Sequence, residues 1–368
     1  MKKLLYFVLL LVLAFNTRPL WEEYAEPYVN LAFMDIISEE MEDIRESPVV
    51  TSTVEKVTGE VKSLVGAGPE KTEPAEKPAL TSPDSQTFSV YNIQIGDNRT
   101  DVEKEIGAPK RQSQNEYGTD WYAYHENYQN FLMISYDEEN HVNGLYTNHD
   151  LISSNIGVAL NTPKETVRGQ LGEPVDKMRK GLTYYMLNET DEHDYYHIDN
   201  CFVTVFYDVH EQNTVTAIQI LDEDLEADKG GMYGENSTAL RHGFEYQLFD
   251  VTNAARVNHG LRVLAWDDRV SETARRHSRD MAEHSYFDHT NLKGQSPFDR
   301  MKEGGTRFIA AGENLAYGQF SSIFAHEGLM NSAGHRKNIV SDHYGYLGVG
   351  VSFNEDNQPY FTENFFDN

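Results

Sequence analysis

The chain has 368 residues, a hydrophobic fraction of 39% and a formal charge of −28. That length allows two or three domains, and that apolar content, with 22 tyrosines, excludes a globally disordered chain. A surface this acidic repels phosphate backbones and excludes nucleic acid as a partner, and the single cysteine, Cys201, excludes a disulfide framework, a zinc ribbon and an iron–sulfur site.

The first residues read as a targeting element. Lys2 and Lys3 precede an apolar run from Leu4 to Phe15, which is short for a helix crossing ~30 Å of hydrocarbon and has the length of a signal-peptide core. No small-residue cleavage site follows, so residues 1–15 are expected to be a signal peptide or an uncleaved membrane anchor. A buried core helix is the alternative. Residues 16–45 read as an acidic amphipathic helix, with Leu31, Met34, Ile37 and Met41 near helical spacing. Residues 46–86 are rich in Pro, Glu, Lys, Thr and Ser and lack apolar periodicity. They are expected to be a disordered linker, unable to bury enough surface to offset ordering entropy.

Residues 87–222 contain a weak internal repeat. Asp101–Pro109 and Thr162–Pro174 each read as a short helix stopped by a Gly-x-Pro signal, where Gly takes the left-handed cap and Pro cannot continue the helix. Aromatic strands follow: Trp121–Tyr124 and Phe131–Asp137 in one copy, Thr183–Met186 and Phe202–Asp208 in the other. Val142–Tyr146 and Val215–Ile220 close each three-stranded antiparallel meander. Cys201 opens an apolar alternation and reads as a small buried hydrophobe. This order resembles the domain that precedes CAP domains in some Gram-positive bacterial proteins, and also small α+β modules of envelope lipoproteins; neither resemblance implies catalytic residues. Residues 223–244, a charge run ending in Gly230-Gly231 and its continuation, are expected to be an exposed linker.

In the last segment, 245–368, a helix is expected over Tyr246–Asn258. A second should be capped by Asp267 or Asp268, with an inward stripe of Val270, Ala274, His277, Met281 and His284. His277 is expected to be a satisfied core histidine, and Trp266 and Phe287 core residues. The segment then runs through Leu264-Ala-Trp-Asp267, Tyr286-Phe-Asp-His289, Ser296-Pro-Phe-Asp-Arg300, Gly312-Glu-Asn-Leu-Ala316, Asn331–Ile339 and Leu347-Gly-Val-Gly350. Read in this order, it resembles the bacterial branch of the CAP superfamily (cysteine-rich secretory, antigen and pathogenesis-related proteins). The resemblance implies an α+β fold, an α-β-α sandwich around a mainly antiparallel sheet, here preceded by the duplicated α+β module.

The family's cleft carries two histidines and two acidic residues. By motif these map to His289, Glu313, Glu327 and His335, with Glu327 resting on the register of Asn331-Ser332. Neutral imidazoles ligate zinc and similar divalent metals, and neighbouring carboxylates fix the ring tautomer. His289 and His335 are therefore the expected metal ligands. The same set suits acid–base chemistry, and a hydrogen-bonded cluster that fixes loops is the bland alternative. His326-Glu327 begins like a zincin motif, but position 330 is Met. Neither Ser278 nor Ser332 has a nucleophile-elbow context. The sequence thus leads to an exported or membrane-tethered protein at the cell surface that binds a small ligand, peptide, lipid or other envelope component. A metal-dependent, protease-like hydrolase and a structural scaffold are the alternatives, and no catalytic residue is assigned.

Overall fold

The computed structural model describes residues 75–187 and 190–368. The expected targeting segment, the acidic helix and most of the 46–86 linker lie outside them. Residues 75–86 carry no helix and only the approach to the first strand, yet they are not free of the module. Ala75 donates its N–H to the Gln129 side chain, Asn130 donates to the Glu76 carbonyl, and Lys77 pairs with Asp150. The linker expectation therefore stops short of Gln86, because polar side chains of the module satisfy this backbone.

The module begins with β1 (Phe88–Val90), α1 (Arg99–Ile106), β2 (Arg111–Gln114), β3 (Asp120–Glu126), β4 (Gln129–Tyr136), β5 (Val142–Thr147) and β6 (Ile152–Ser154). It continues through α2 (Lys164–Leu171), β7 (Lys177–Lys180), β8 (Thr183–Met186), β9 (His193–Ile198), β10 (Cys201–Asp208), β11 (Thr214–Asp222) and α3 (Glu223–Asp228). Seven strands form one sheet in the order β2-β3-β4-β5-β11-β10-β9, with β5 and β11 antiparallel at its centre. Helices α1 and α2 end at Gly107 and Gly172, both at φ 82°, and each is followed two residues later by Pro. The parallel extends to the backbone: Arg99 donates to the Asn140 carbonyl as Lys164 donates to that of Asn213. One strand differs from expectation. Thr183–Met186 pairs only with β7 in a separate hairpin, and the first sheet strand of the second half is β9, whose His-Asp-Tyr-Tyr-His-Ile sequence hides its strand character among polar residues.

This sheet is apolar on both faces. Tyr124, Leu132, Ile134, Leu145, Val203 and Val205 pack with Val102 of α1 and Val167 of α2. Trp121, Phe131, Met133, Tyr146 and Phe206 point the other way, into a core shared with the C-terminal domain. Cys201 is buried on β10.

The C-terminal domain comprises α4 (Thr238–Asn258), β12 (Ala265–Trp266), α5 (Asp268–His284), α6 (Pro297–Glu303), β13 (Ala310–Tyr317), α7 (Ser322–Asn331), α8 (Ala333–Ile339), β14 (Tyr346–Phe353) and β15 (Pro359–Asp367). Its sheet runs β12-β14-β15-β13. On β14, Leu347, Val349 and Val351 face the core with α4 and α7. Gly348 and Gly350 face α5, where a Cβ would sit 2.3 Å from the Ser271 nitrogen and 1.9 Å from that of Arg275. Only glycine lets helix and strand approach this closely.

The expected 223–244 linker is also corrected. Leu225, Glu226 and Lys229 are buried, Lys180 pairs with Glu226, and α4 starts at Thr238 with the Ser237 hydroxyl accepting from Leu240 N–H. The first turns of α4 are held by β2. Gly243 lies against the Gln114 backbone, and Gln247 donates to the Gln114 carbonyl at 2.9 Å. On α5, Asp267 caps the helix and Val270, Ala274, His277 and Met281 are buried as expected. His284 is exposed, because the helix ends there and its ring turns back to Asp280. Phe287 is 49% exposed, a lip residue rather than a core one.

Candidate functional site

β13 carries the centre of the site. Glu313 faces the α5 side of the sheet, and its side chain is buried. One carboxylate oxygen lies 2.9 Å from His289 Nδ1, and the other accepts from Arg300 Nη2 at 2.6 Å. Arg300 also donates to the His289 carbonyl at 2.6 Å, so one guanidinium holds both the carboxylate and the backbone of the histidine it orients. Arg300 is delivered by α6, a two-turn helix fixed by a Ser296/Asp299 capping box with Pro297 in its first turn.

His335 sits in the first turn of α8, and its Nδ1 lies 2.9 Å from the Ser332 hydroxyl. Its carbonyl accepts from Asn314, which also donates to Glu363 at 3.1 Å. Each imidazole is thus oriented through Nδ1. Among the described residues, Nε2 of each has no protein partner. The two rings are electrostatic neighbours with opposite shifts. The Glu313 hydrogen bond raises the pKa of His289, whereas burial and then the charge of His289 lower that of His335. Phe287, Tyr317 and Tyr360 form a run of ring contacts, 6.0 and 4.2 Å between successive centroids, with Phe287 two residues from His289 and Tyr317 on the same strand as Glu313.

The structure therefore brings together three of the four residues expected from the motifs. Glu327 is elsewhere. It lies on the face of α7 turned to the N-terminal module, where Tyr146 donates to it at 2.8 Å. A helical register fixes where a residue falls along α7, and the docked sheet decides what that face meets. Glu313 has both oxygens engaged, which makes it an orienting group. No cluster of three or more His, Cys, Asp or Glu arranged for a metal occurs among the described residues. Two histidines by themselves would leave coordination positions open and could not make a closed structural metal site. Arg300, Ser332 and Asn314 join the site although the sequence pattern does not single them out, and each stands inside one of the family-like motifs. The Ser-x-x-Asp capping signal before Arg300 was the available clue.

With this geometry, residues 249–365 match the cysteine-rich secretory protein (CAP) family profile, and residues 95–231 match the CAP-associated N-terminal profile. The chain carries a CAP-associated N-terminal domain followed by a CAP domain. An uncharacterized membrane protein of Bacillus subtilis, YlbC, is 27% identical over 324 residues, spanning 82% of this chain and 92% of that protein. The crystal structure of an extracellular SCP-domain protein from Bacillus anthracis superposes with a TM-score of 0.65 at 26% identity, covering 80% of this chain and all of the other. A cysteine-rich secretory protein from Staphylococcus aureus shares the fold at 15% identity, with a TM-score of 0.60 over 78% of this chain and 98% of that one. The α+β class follows from these matches. Among the described residues of this CAP protein, no helix is long and apolar enough to cross a membrane.

Proposed function

We propose that this chain is displayed outside the cytoplasm, secreted or tethered through residues 1–15, and that its CAP domain binds a ligand in the cleft around His289, Glu313 and His335. The names of its relatives, a membrane protein and an extracellular protein, support the location. The duplicated module serves as the rigid seat of the CAP domain. One observation carries the ligand reading: two imidazoles are held through Nδ1, Nε2 of each has no partner among the described residues, and the exposed Phe287 lies two residues from His289. A divalent metal such as zinc would be held by these two Nε2 atoms and would polarise a bound carbonyl or water. The apolar lip suits a peptide, lipid or other envelope component with an apolar part next to a polar one.

A hydrolase is the second reading, favoured by the Ser332–His335 contact alone. That contact spans three residues at a helix start and uses the ring nitrogen facing the backbone, so it suits orientation better than nucleophile activation. Zinc titration calorimetry of the full chain tests the proposal. Binding should be lost in the His289→Ala/His335→Ala double variant while the melting temperature is kept. Unchanged zinc uptake in that variant would refute the metal site.

A further inference from the structure

A second cavity lies between the N-terminal module and the CAP domain, separate from the histidine cleft. It is open to solvent on one side and has a volume of about 530 Å³, within the range of small-molecule sites. Its walls come from both domains: the segments after β5 and β6, the end of β10 with the turn that follows and the first residues of β11 on one side, and α4, α7 and α8 on the other.

Two acceptors in it are unused. Asn148 is 5% exposed and its Oδ1 has no hydrogen-bond partner, although it lines the cavity. A buried unpaired acceptor costs free energy, so a donor is missing there. Glu327 is the second. Tyr146 occupies Oε1, and Oε2 has no partner among the described residues. Tyr146, which donates to Glu327, lies near the end of β5 and Asn148 just beyond it, so one stretch of chain carries both the partner of Glu327 and the other acceptor.

The charges of the wall decide what can fill the space. Arg336 is already neutralised by Asp208 at 2.7 Å and donates further to the Met330 carbonyl. His259 and His326 have lowered pKa values, His326 to about 3, because burial disfavours their charged forms. Glu211 adds a further carboxylate at the exposed rim. The cavity therefore offers acceptors and negative charge with no free cation among its described lining residues.

We infer that this interdomain cavity binds the primary ammonium group of a small polar ligand, with Glu327 and Asn148 as its acceptors. An ammonium has three donors and a full charge. It can donate to Glu327 Oε2 and, once the Asn148 side chain turns its buried Oδ1 to the cavity, to Asn148 as well, whereas a hydroxyl has one proton to give. A carboxylate or phosphate ligand would meet unshielded negative charge.

Burial also pushes the Glu327 carboxyl up to about 7, with the Tyr146 hydrogen bond and Arg336 opposing and Asp208 adding to the rise. An ammonium favours the ionised form, so affinity should strengthen as pH rises from 6 to 8. The ligand amine stays charged throughout that range.

The probe is Nα-acetyl-lysine amide, compared with its Nε-acetylated form, which lacks only the charged amine. Calorimetric or NMR titration of the full chain should show binding of the first and at least about tenfold weaker binding of the second, the discrimination expected of a charge-assisted hydrogen bond. Glu327→Gln keeps an acceptor for Tyr146. It should melt no lower than the parent, weaken binding at least about tenfold and abolish the pH dependence. Asn148→Ala should weaken binding with the pH dependence intact. The His289→Ala/His335→Ala variant should bind the amine normally, which separates this site from the cleft. Equal binding of the two probes overturns the inference. So does unchanged affinity in Glu327→Gln, or a crystal structure with the probe in which only a water bridges Asn148 and Glu327.

Discussion

Gly243→Ala separates local propensity from tertiary packing, because the two give opposite signs. Gly243 lies inside α4, where replacing Gly by Ala ordinarily stabilises a helix by about 1 kcal/mol. At this position the new Cβ would sit 1.9 Å from the Gln114 carbonyl oxygen and 2.9 Å from its carbon. Those are backbone atoms of β2, so no side chain can swing away. Relief requires β2 to move off α4, stretching the Gln247 bonds to Ser113 and Gln114. Overpacking costs ~1–3 kcal/mol, and a rigid backbone neighbour places this site at the upper end. After the propensity gain, a net loss of about 2 kcal/mol is expected. Gly328 in α7 is the control, since its Cβ would meet nothing within 4 Å. Gly328→Ala should therefore stabilise by up to ~1 kcal/mol. Urea unfolding of both variants, read by tryptophan fluorescence, gives the two signs. Trp121 lies in the core shared by both domains and reports their separation. If Gly243→Ala stabilises as much as Gly328→Ala, the close docking of α4 on β2 is wrong.

Further outcomes follow from buried charges. Arg300→Ala leaves the buried Glu313 carboxylate with only His289 and should cost about 3–5 kcal/mol in denaturant unfolding; adding Glu313→Gln should recover part of that loss. Glu327 has a folded-state pKa of about 7, raised from 4.5 by burial, so the folded chain holds its proton where the unfolded chain has lost it. This group's contribution to stability is present below pH ~4.5 and is lost as pH rises to about 7. Glu327→Gln should therefore gain stability relative to the parent between pH 5 and 8, measured by unfolding at each pH; a constant difference would contradict the burial argument. At the cleft, zinc competes with protons on His289, whose pKa is raised by Glu313, so zinc affinity should fall steeply as pH drops through the histidine range, and a pH-independent affinity would exclude imidazole ligation. Limited proteolysis of the full chain should cut within residues 46–74, which lack apolar periodicity, and spare 223–244, where Leu225, Glu226 and Lys229 are buried. Early fragments ending in 223–244 would show that this connection is open in solution.

Much of the molecule was legible in local signals. The Asp267 cap, the α5 stripe through Met281, the Gly-x-Pro helix stops and the alternation around Cys201 depend on short-range geometry, and the structure has all of them. The motifs also placed His289, Glu313 and His335, which the fold gathers from the segment after α5, from β13 and from α8. What the sequence left open concerns surfaces that meet only after folding. Strands such as Phe131–Tyr136 are apolar at every position but Ser135, and such a run cannot say what covers its second face; here the CAP domain does, merging two expected domains into one core. The same docking turned Glu327 toward Tyr146, buried Leu225, Glu226 and Lys229 of the 223–244 segment and formed the Asn148 cavity. Local pattern fixes which face of an element is apolar or charged. The partner of that face comes from distant parts of the chain, and the free energy of bringing them together is a property of the packed whole.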